Sequence, residues 1–214
     1  MTQIPSTRAT REIELFFDVG SSYSYLALAR VEEIEKRTHT PVRVRPFLLG
    51  GVFKATGNDM PARIAAKAKY LVADMNRWAK EYGVAWTLPP IFPISTVTTQ
   101  RALVVAERLG GQSDVRTFAR GLFHAYWAEG KDVSHRSVIE EVANAVALDG
   151  AAIAGGIDAP ETKDRLRADT EEAVERGAFG APTFFFEGEM FFGNDRIPHL
   201  ERRVLSTLPE HPVS

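Results

Sequence analysis

Apolar positions along the chain change rhythm twice. Ile13-Glu14-Leu15-Phe16-Phe17 is dense in β-forming residues and runs into Asp18-Val19-Gly20-Ser21-Ser22, a stretch of turn and N-cap residues. A strand, a turn and a helix over about Tyr23 to Lys36 are predicted there, and a second strand over Val42-Arg43-Val44-Arg45-Pro46-Phe47 follows a Thr-Pro break. A helical crossover makes the two strands parallel and the connection right-handed. The Gly20-Ser21 turn then falls at the carboxyl end of the first strand, where open α/β sheets bind ligands.

From about Gly50 to Gly177 the helical period takes over. Ile64, Ala68, Leu71, Met75, Trp78 and Tyr82 recur at three- and four-residue steps, as do Val115, Phe118, Ala119, Leu122, Phe123, Tyr126 and Trp127. Between them the prolines of Leu88-Pro89-Pro90-Ile91-Phe92-Pro93 exclude a helix, and a shorter helical run starts near Thr98. Further helices are predicted from Ser134, fading by Gly150, and from Pro160 to about Gly177. The strand rhythm then returns in Thr183-Phe184-Phe185-Phe186, a Glu187-Gly188 turn and Met190-Phe191-Phe192, which read as a hairpin. Asn194 and Asp195 are expected to cap a last helix containing Leu200 and Val204. The order is βαβ, helical insert, ββα, with a cleft expected where the two regions meet.

Composition narrows the chemistry. The 214 residues carry 26 Lys plus Arg against 28 Asp plus Glu, which offers no excess of positive charge for nucleic acid or an anionic membrane. No apolar run approaches the roughly 20 residues of a membrane span, and the polar first dozen residues lack the apolar stretch of a secretion signal, so a cytoplasmic location is expected. The chain has no cysteine, which excludes a protein thiolate, a dithiol and a Cys-bound zinc. Its five histidines, His39, His124, His135, His199 and His211, show no ligand spacing, and no metal is expected. Any thiol chemistry must use a thiol from outside.

Ser21 stands between a strand and a helix start, where free N–H groups and the helix dipole favour negative charge; alone, a serine there is an ordinary N-cap. Pro182, directly before a β-run, fits either a cis bond or the start of an edge strand. The segment Phe16-Phe17-Asp18-Val19-Gly20-Ser21-Ser22-Tyr23-Ser24-Tyr25-Leu26-Ala27 resembles the opening of the kappa-class glutathione transferases and 2-hydroxychromene-2-carboxylate isomerases. Gly177-Ala178-Phe179-Gly180-Ala181-Pro182-Thr183-Phe184 is similar to that family's cis-proline segment, and Phe192-Gly193-Asn194-Asp195-Arg196 to its last glutathione-binding turn. Lys67-Ala68-Lys69-Tyr70, Asp74, Arg77-Trp78-Ala79 and Tyr126-Trp127-Ala128-Glu129-Gly130 resemble its helical insert. The Gly193 to Arg196 and Trp127 to Gly130 segments lean toward the isomerases.

The resemblance implies an α/β, thioredoxin-like fold with an all-helical insertion domain: residues 12–50 plus 178–214 as the discontinuous thioredoxin-like part, 51–177 as the insertion, and 1–11 as a polar tail. It implies a glutathione-dependent enzyme, with Ser21 catalytic through a hydrogen bond to the glutathione sulfur. Ala181, beside Pro182, would pair with the cysteinyl backbone, while Gly193, Asn194 and Asp195 receive the γ-glutamyl end. Phe53 and Lys54 would meet an aromatic carboxylate substrate, Asn58 either ligand, and Lys67 either the cleft or solvent. The implied activity is isomerisation of 2-hydroxychromene-2-carboxylate or a related intermediate of aromatic breakdown; a glutathione transferase or peroxidase, or a non-catalytic binder of glutathione or an aromatic acid, are the alternatives. A homodimer is implied as well. Two positions depart from the family pattern, Ser22 for a proline and Gly20 for a larger apolar residue, which predicts a more flexible loop before the helix.

Overall fold

The computed structural model describes residues 11–208; the tail expected over 1–11 lies outside this range except for Arg11, as do residues 209–214 with His211. Four strands form one mixed sheet in the order β2-β1-β3-β4: β1 (Ile13–Phe17), β2 (Val42–Pro46), β3 (Thr183–Phe186) and β4 (Glu189–Phe192). β1 and β2 are parallel, in register Ile13 to Val42, while β3 runs antiparallel to both β1 and β4.

The two-residue period of the strands sorts the sheet's faces. Ile13, Leu15, Phe17, Val42, Val44, Phe184 and Phe186 point into the main core, beneath α1 (Ser22–Ala29), α2 (Val31–Thr38), α5 (Val97–Trp127), α6 (Arg136–Ala145) and α9 (Ile197–Leu205). Phe16 and Phe185 point the other way, onto Val52 of α3 (Leu49–Thr56) and Ala173 of α8 (Pro160–Glu175). Each fully buried aliphatic or phenyl side chain stabilises the fold by about 1.5–3 kcal/mol, so this two-faced burial is what fixes the strand register. The main core is continuous from the strands into α5 and α6.

Beside Phe16 and Phe185 sits a charged layer. Arg45 packs over Phe16 and reaches Glu14 at 2.6 Å, Glu172 at 2.5 Å and Asp169, while Arg176 packs over Phe185 and pairs with Glu14 at 2.6 Å and Glu172 at 2.8 Å. The free edge of β2 is closed by α5, where Gln112 exchanges hydrogen bonds with Val44 at 2.8 and 3.2 Å. That bond follows a break at Gly111 (φ 71°, ψ −154°), a backbone shape open to glycine, which divides α5 in two.

The helix expected over 23–36 is two helices, divided at Arg30. Leu49–Thr56 is helical, so Lys54 rides on α3. α4 (Ala65–Tyr82) carries the predicted stripe, yet only Met75 and Ala79 are buried and Ile64 lies exposed before its start. A helix α7 (Gly150–Gly156) follows α6 where fading was expected, and a 3-10 turn, Asn194–Arg196, precedes α9. No helix among the described residues is long and apolar enough to cross a membrane.

Candidate active site

The loop that leaves β1 is held at nearly every backbone group. Gln100 of α5 accepts from Val19 N–H at 3.3 Å and donates to the carbonyls of Phe17 (2.8 Å) and Phe47 (2.9 Å), stitching the ends of β1 and β2 together. The indole of Trp127 donates to Val19 O at 2.8 Å, Asp18 Oδ1 accepts from Gly20 N–H at 2.8 Å, and Ser21 N–H donates to Asp18 O at 2.9 Å. The two family departures therefore do not leave this loop loosely held. A Cβ on Gly20 would approach the Thr96 methyl to 3.1 Å, so the glycine makes room for Thr96.

Ser21 is the N-cap of α1, with extended backbone (φ −97°, ψ 114°). Its Oγ accepts from Ser24 N–H at 3.2 Å and donates to Ala181 O at 3.1 Å. The Ala181–Pro182 peptide is cis, as is Phe92–Pro93. Two further donors reach neighbouring carbonyls of the same segment: Asn58 Nδ2 bonds Phe179 O at 2.8 Å, and Gly193 N–H bonds Pro182 O at 2.9 Å. Ser21, Asn58 and Gly193, far apart in sequence, thus converge on residues 179–182.

Gly193 (φ +101°) turns the chain out of β4 in a conformation that favours glycine, and a Cβ there would sit 2.7 Å from Asp195 Oδ1. Asp195 is exposed and paired with Arg196 at 2.7 Å, and its charge acts on the phenols of Tyr23 and Tyr82. Tyr23 donates to Asp74 of α4 at 2.8 Å; burial, followed by that bond, pushes its phenol well above the ordinary range. Tyr23, in the first turn of α1, is therefore a neutral phenol bonded to the Asp74 carboxylate and in the field of Asp195.

The DSBA-like thioredoxin domain family matches residues 12–205. The chain belongs to that family. Within it the chain groups with the 2-hydroxychromene-2-carboxylate isomerases and kappa-class glutathione transferases. It is 31% identical over 198 residues to the 2-hydroxychromene-2-carboxylate isomerase of Sphingobium xenophagum, covering 92% of this chain and 99% of that one. It is 32% identical over 201 residues to glutathione S-transferase kappa 2 of Caenorhabditis elegans, covering 88% and 89%. A solved 2-hydroxychromene-2-carboxylate isomerase superposes with a TM-score of 0.80 at 26% identity, over 89% of this chain and 93% of that one. The DSBA-like thioredoxin fold with its helical insertion is thereby established.

The residues singled out from sequence divide unevenly on this DSBA-like scaffold. Ser21, Asn58, Ala181, Pro182 and Gly193 share one hydrogen-bonded neighbourhood. Asn194 does not cap a helix with its side chain. It is buried, 2% exposed, with both amide atoms unpaired among the described residues; the Tyr82 phenol lies near enough to feel it, outside hydrogen-bond geometry. Phe53 is half-buried, and Lys54 is exposed along a groove of about 600 Å³ between α3 and α8 whose lining does not include Ser21. Lys67 is exposed on α4 with no ion pair among the described residues. Asp18, Thr96 and Gln100 escaped the sequence reading, because each works through elements that meet only in the folded chain.

Proposed function

We propose that this protein is a glutathione-dependent isomerase of 2-hydroxychromene-2-carboxylate or a closely related aromatic carboxylic acid. The observation that carries this reading is the Ser21 hydroxyl, set at the start of α1 and 3.1 Å from the carbonyl that precedes Pro182. Glutathione fits the donor set: a hydroxyl and first-turn N–H groups for the sulfur, an Ala181 N–H that makes no bond among the described residues, and the Asp195 carboxylate for an ammonium group. The buried Asn194 side chain leaves the γ-glutamyl end to the backbone of the 193–195 turn and to Asp195.

When bound, glutathione supplies a thiolate that adds to the conjugated carbon and leaves again, so that a double bond becomes for a moment a rotatable single bond. The chain's part is to favour thiolate over thiol, to orient the acid and to stabilise negative charge on it. Ser21 has one hydroxyl proton, and it is engaged by Ala181 O. The first-turn N–H groups of α1 and the Ser21 hydroxyl beside them would hold the sulfur, and the Ala181 backbone would pair with the cysteinyl residue. Phe53 walls the substrate and Lys54 or Lys67 meets its carboxylate, with Asn58 beside them. The half-exposed stripe of α4, with Ile64 exposed before it, supports a homodimer as part of this reading.

The near-equal identity to a kappa-class transferase favours one second reading, conjugation in which glutathione is consumed. Stoichiometry separates the two. The purified protein is mixed with a hydroxychromene carboxylate and catalytic glutathione, and the spectrum and free thiol are followed together. Many turnovers with the thiol fully recovered are expected; a conjugate formed one-for-one replaces the isomerase by the transferase, and binding without turnover removes both.

A further inference from the structure

Asp18 is a buried ionisable group that this chemistry leaves unused. It is 1% exposed, and its two oxygens collect three donors from three separate elements: Gly20 N–H at 2.8 Å, Leu49 N–H at 2.8 Å and the Thr96 hydroxyl at 3.0 Å. Leu49 opens α3 and Thr96 immediately precedes α5, and neither helix has a capping side chain of its own. Asp18 supplies what both lack, a negative charge at two positive helix ends. Burial pushes its carboxyl upward, while all three contacts act as donors to it. A carboxylate accepts only, so the ionised form matches this environment and a carboxamide does not.

The bonds around Asp18 close into a ring. Asp18 holds the first residue of α3; just beyond the other end of that helix Asn58 holds Phe179 O at 2.8 Å; two residues on, Ala181 O receives the Ser21 hydroxyl; and Gly20, next to Ser21, returns to Asp18. We infer that Asp18 is a positioning residue that fixes the spacing between the Ser21 loop and α3, the helix carrying Phe53 and Lys54. This rests on the reading of those residues as the thiol-holding and acid-holding sides of one site. Opening the ring at Asp18 lets the two sides drift, and misplacement of about 1 Å costs on the order of 100-fold in rate.

The test uses Asp18→Asn and the pair Thr96→Val and Thr96→Ser, with kcat and KM for the hydroxychromene carboxylate, glutathione affinity by calorimetry, and amide hydrogen exchange. In Asp18→Asn the new NH2 group faces an N–H donor, and kcat is expected to fall about 10- to 100-fold with glutathione affinity held within about 3-fold. Thr96→Val removes one donor and should lower kcat several-fold, while Thr96→Ser, which keeps the hydroxyl, should restore it. Exchange at Gly20 and Asn58 should quicken in Asp18→Asn and in Thr96→Val but not in Thr96→Ser. If Asp18→Asn does not fold, the Thr96 pair decides. Unchanged kcat in a folded Asp18→Asn or in Thr96→Val, or equal losses in Val and Ser, overturns the role. A wild-type protein inert toward glutathione, with exchange still quickened at both amides in Thr96→Val, keeps the ring and removes the proposed function instead.

Discussion

Ser21 and Ala181 are 160 positions apart in the chain, and the hydroxyl of the first donates to the carbonyl of the second at 3.1 Å. The same oxygen accepts from Ser24 N–H, so this hydroxyl is a helix cap and, in the function proposed above, also the group that would meet the sulfur. Ser21→Ala removes both. Turnover is expected to fall about 100- to 1,000-fold, the scale of losing one preorganised donor, while stability drops by only about 1 kcal/mol, the worth of an N-cap. Steady-state kinetics beside chemical denaturation checks this; a proportionate loss confined to stability would reduce Ser21 to a cap.

Ser22 is the first residue of α1, a position whose N–H has no partner within the helix and which tolerates proline. Ser21 already has the extended backbone that a following proline demands. Ser22→Pro therefore keeps the fold and deletes one N–H that, in the proposed complex, would face the sulfur. With fewer donors the thiolate is less favoured, so the pKa of bound glutathione should rise by about 0.5–1 unit, equivalent to ~1 kcal/mol. Ultraviolet titration of the thiolate in the complex reads this directly, and an unmoved titration would mean that the amide points elsewhere.

The charged layer on the outer face of the sheet predicts how the protein fails in acid. Hydrogen bonds from Arg45, with Arg176, outweigh burial and hold Glu172 at about 2, below its ordinary 4.5. Burial of Glu14 is likewise outweighed by Arg176 and Arg45, which lower it. A carboxyl lowered in the folded state adds stability that is complete above its unfolded value and is lost as pH falls toward the folded one. Melting temperature should therefore decline between pH 4.5 and 2, and Glu172→Gln should show a flatter decline from a lower starting point. Calorimetry across that range tests it, and an unchanged slope would remove Glu172 from the account.

What the sequence disclosed and what it hid follow one physical division. β1 and β2 were legible because Ile13, Leu15, Phe17, Val42 and Val44 alternate in the strand itself, β3 because Thr183 to Phe186 is an unbroken run of β-forming residues before a turn, and the long helices because their apolar period is local. Helix α3 was not, since Gly50 and Gly51 each cost roughly 1 kcal/mol in a helix. Its first turn is completed by Asp18, 31 positions earlier, and its Val52 is buried in the cluster of Phe16 and Ala173. The break at Arg30 carries no glycine or proline to announce it. Ser21, Ala181 and Gly193, candidates that the fold brings into one hydrogen-bonded neighbourhood, could be singled out because the family motif is contiguous around each. Gln100 looked like any polar residue on an amphipathic helix until the ends of β1 and β2 were brought to it.

Ser24, three residues past Ser21, offers a control of the opposite sign. It is wholly buried in the first turn of α1, and its hydroxyl has no partner among the described residues. Only its backbone N–H serves the site, and that survives substitution. Ser24→Ala removes an unsatisfied buried hydroxyl and installs the better helix former, a gain of about 0.5–1 kcal/mol, or roughly 1–4 °C in melting temperature for a chain of this size. Turnover should be unchanged. Measured beside Ser21→Ala, the two alanine variants are expected to move in opposite directions in stability and to differ by orders of magnitude in rate. A kcat loss in Ser24→Ala equal to that in Ser21→Ala would transfer the catalytic hydroxyl one turn into the helix, away from the carbonyl of Ala181.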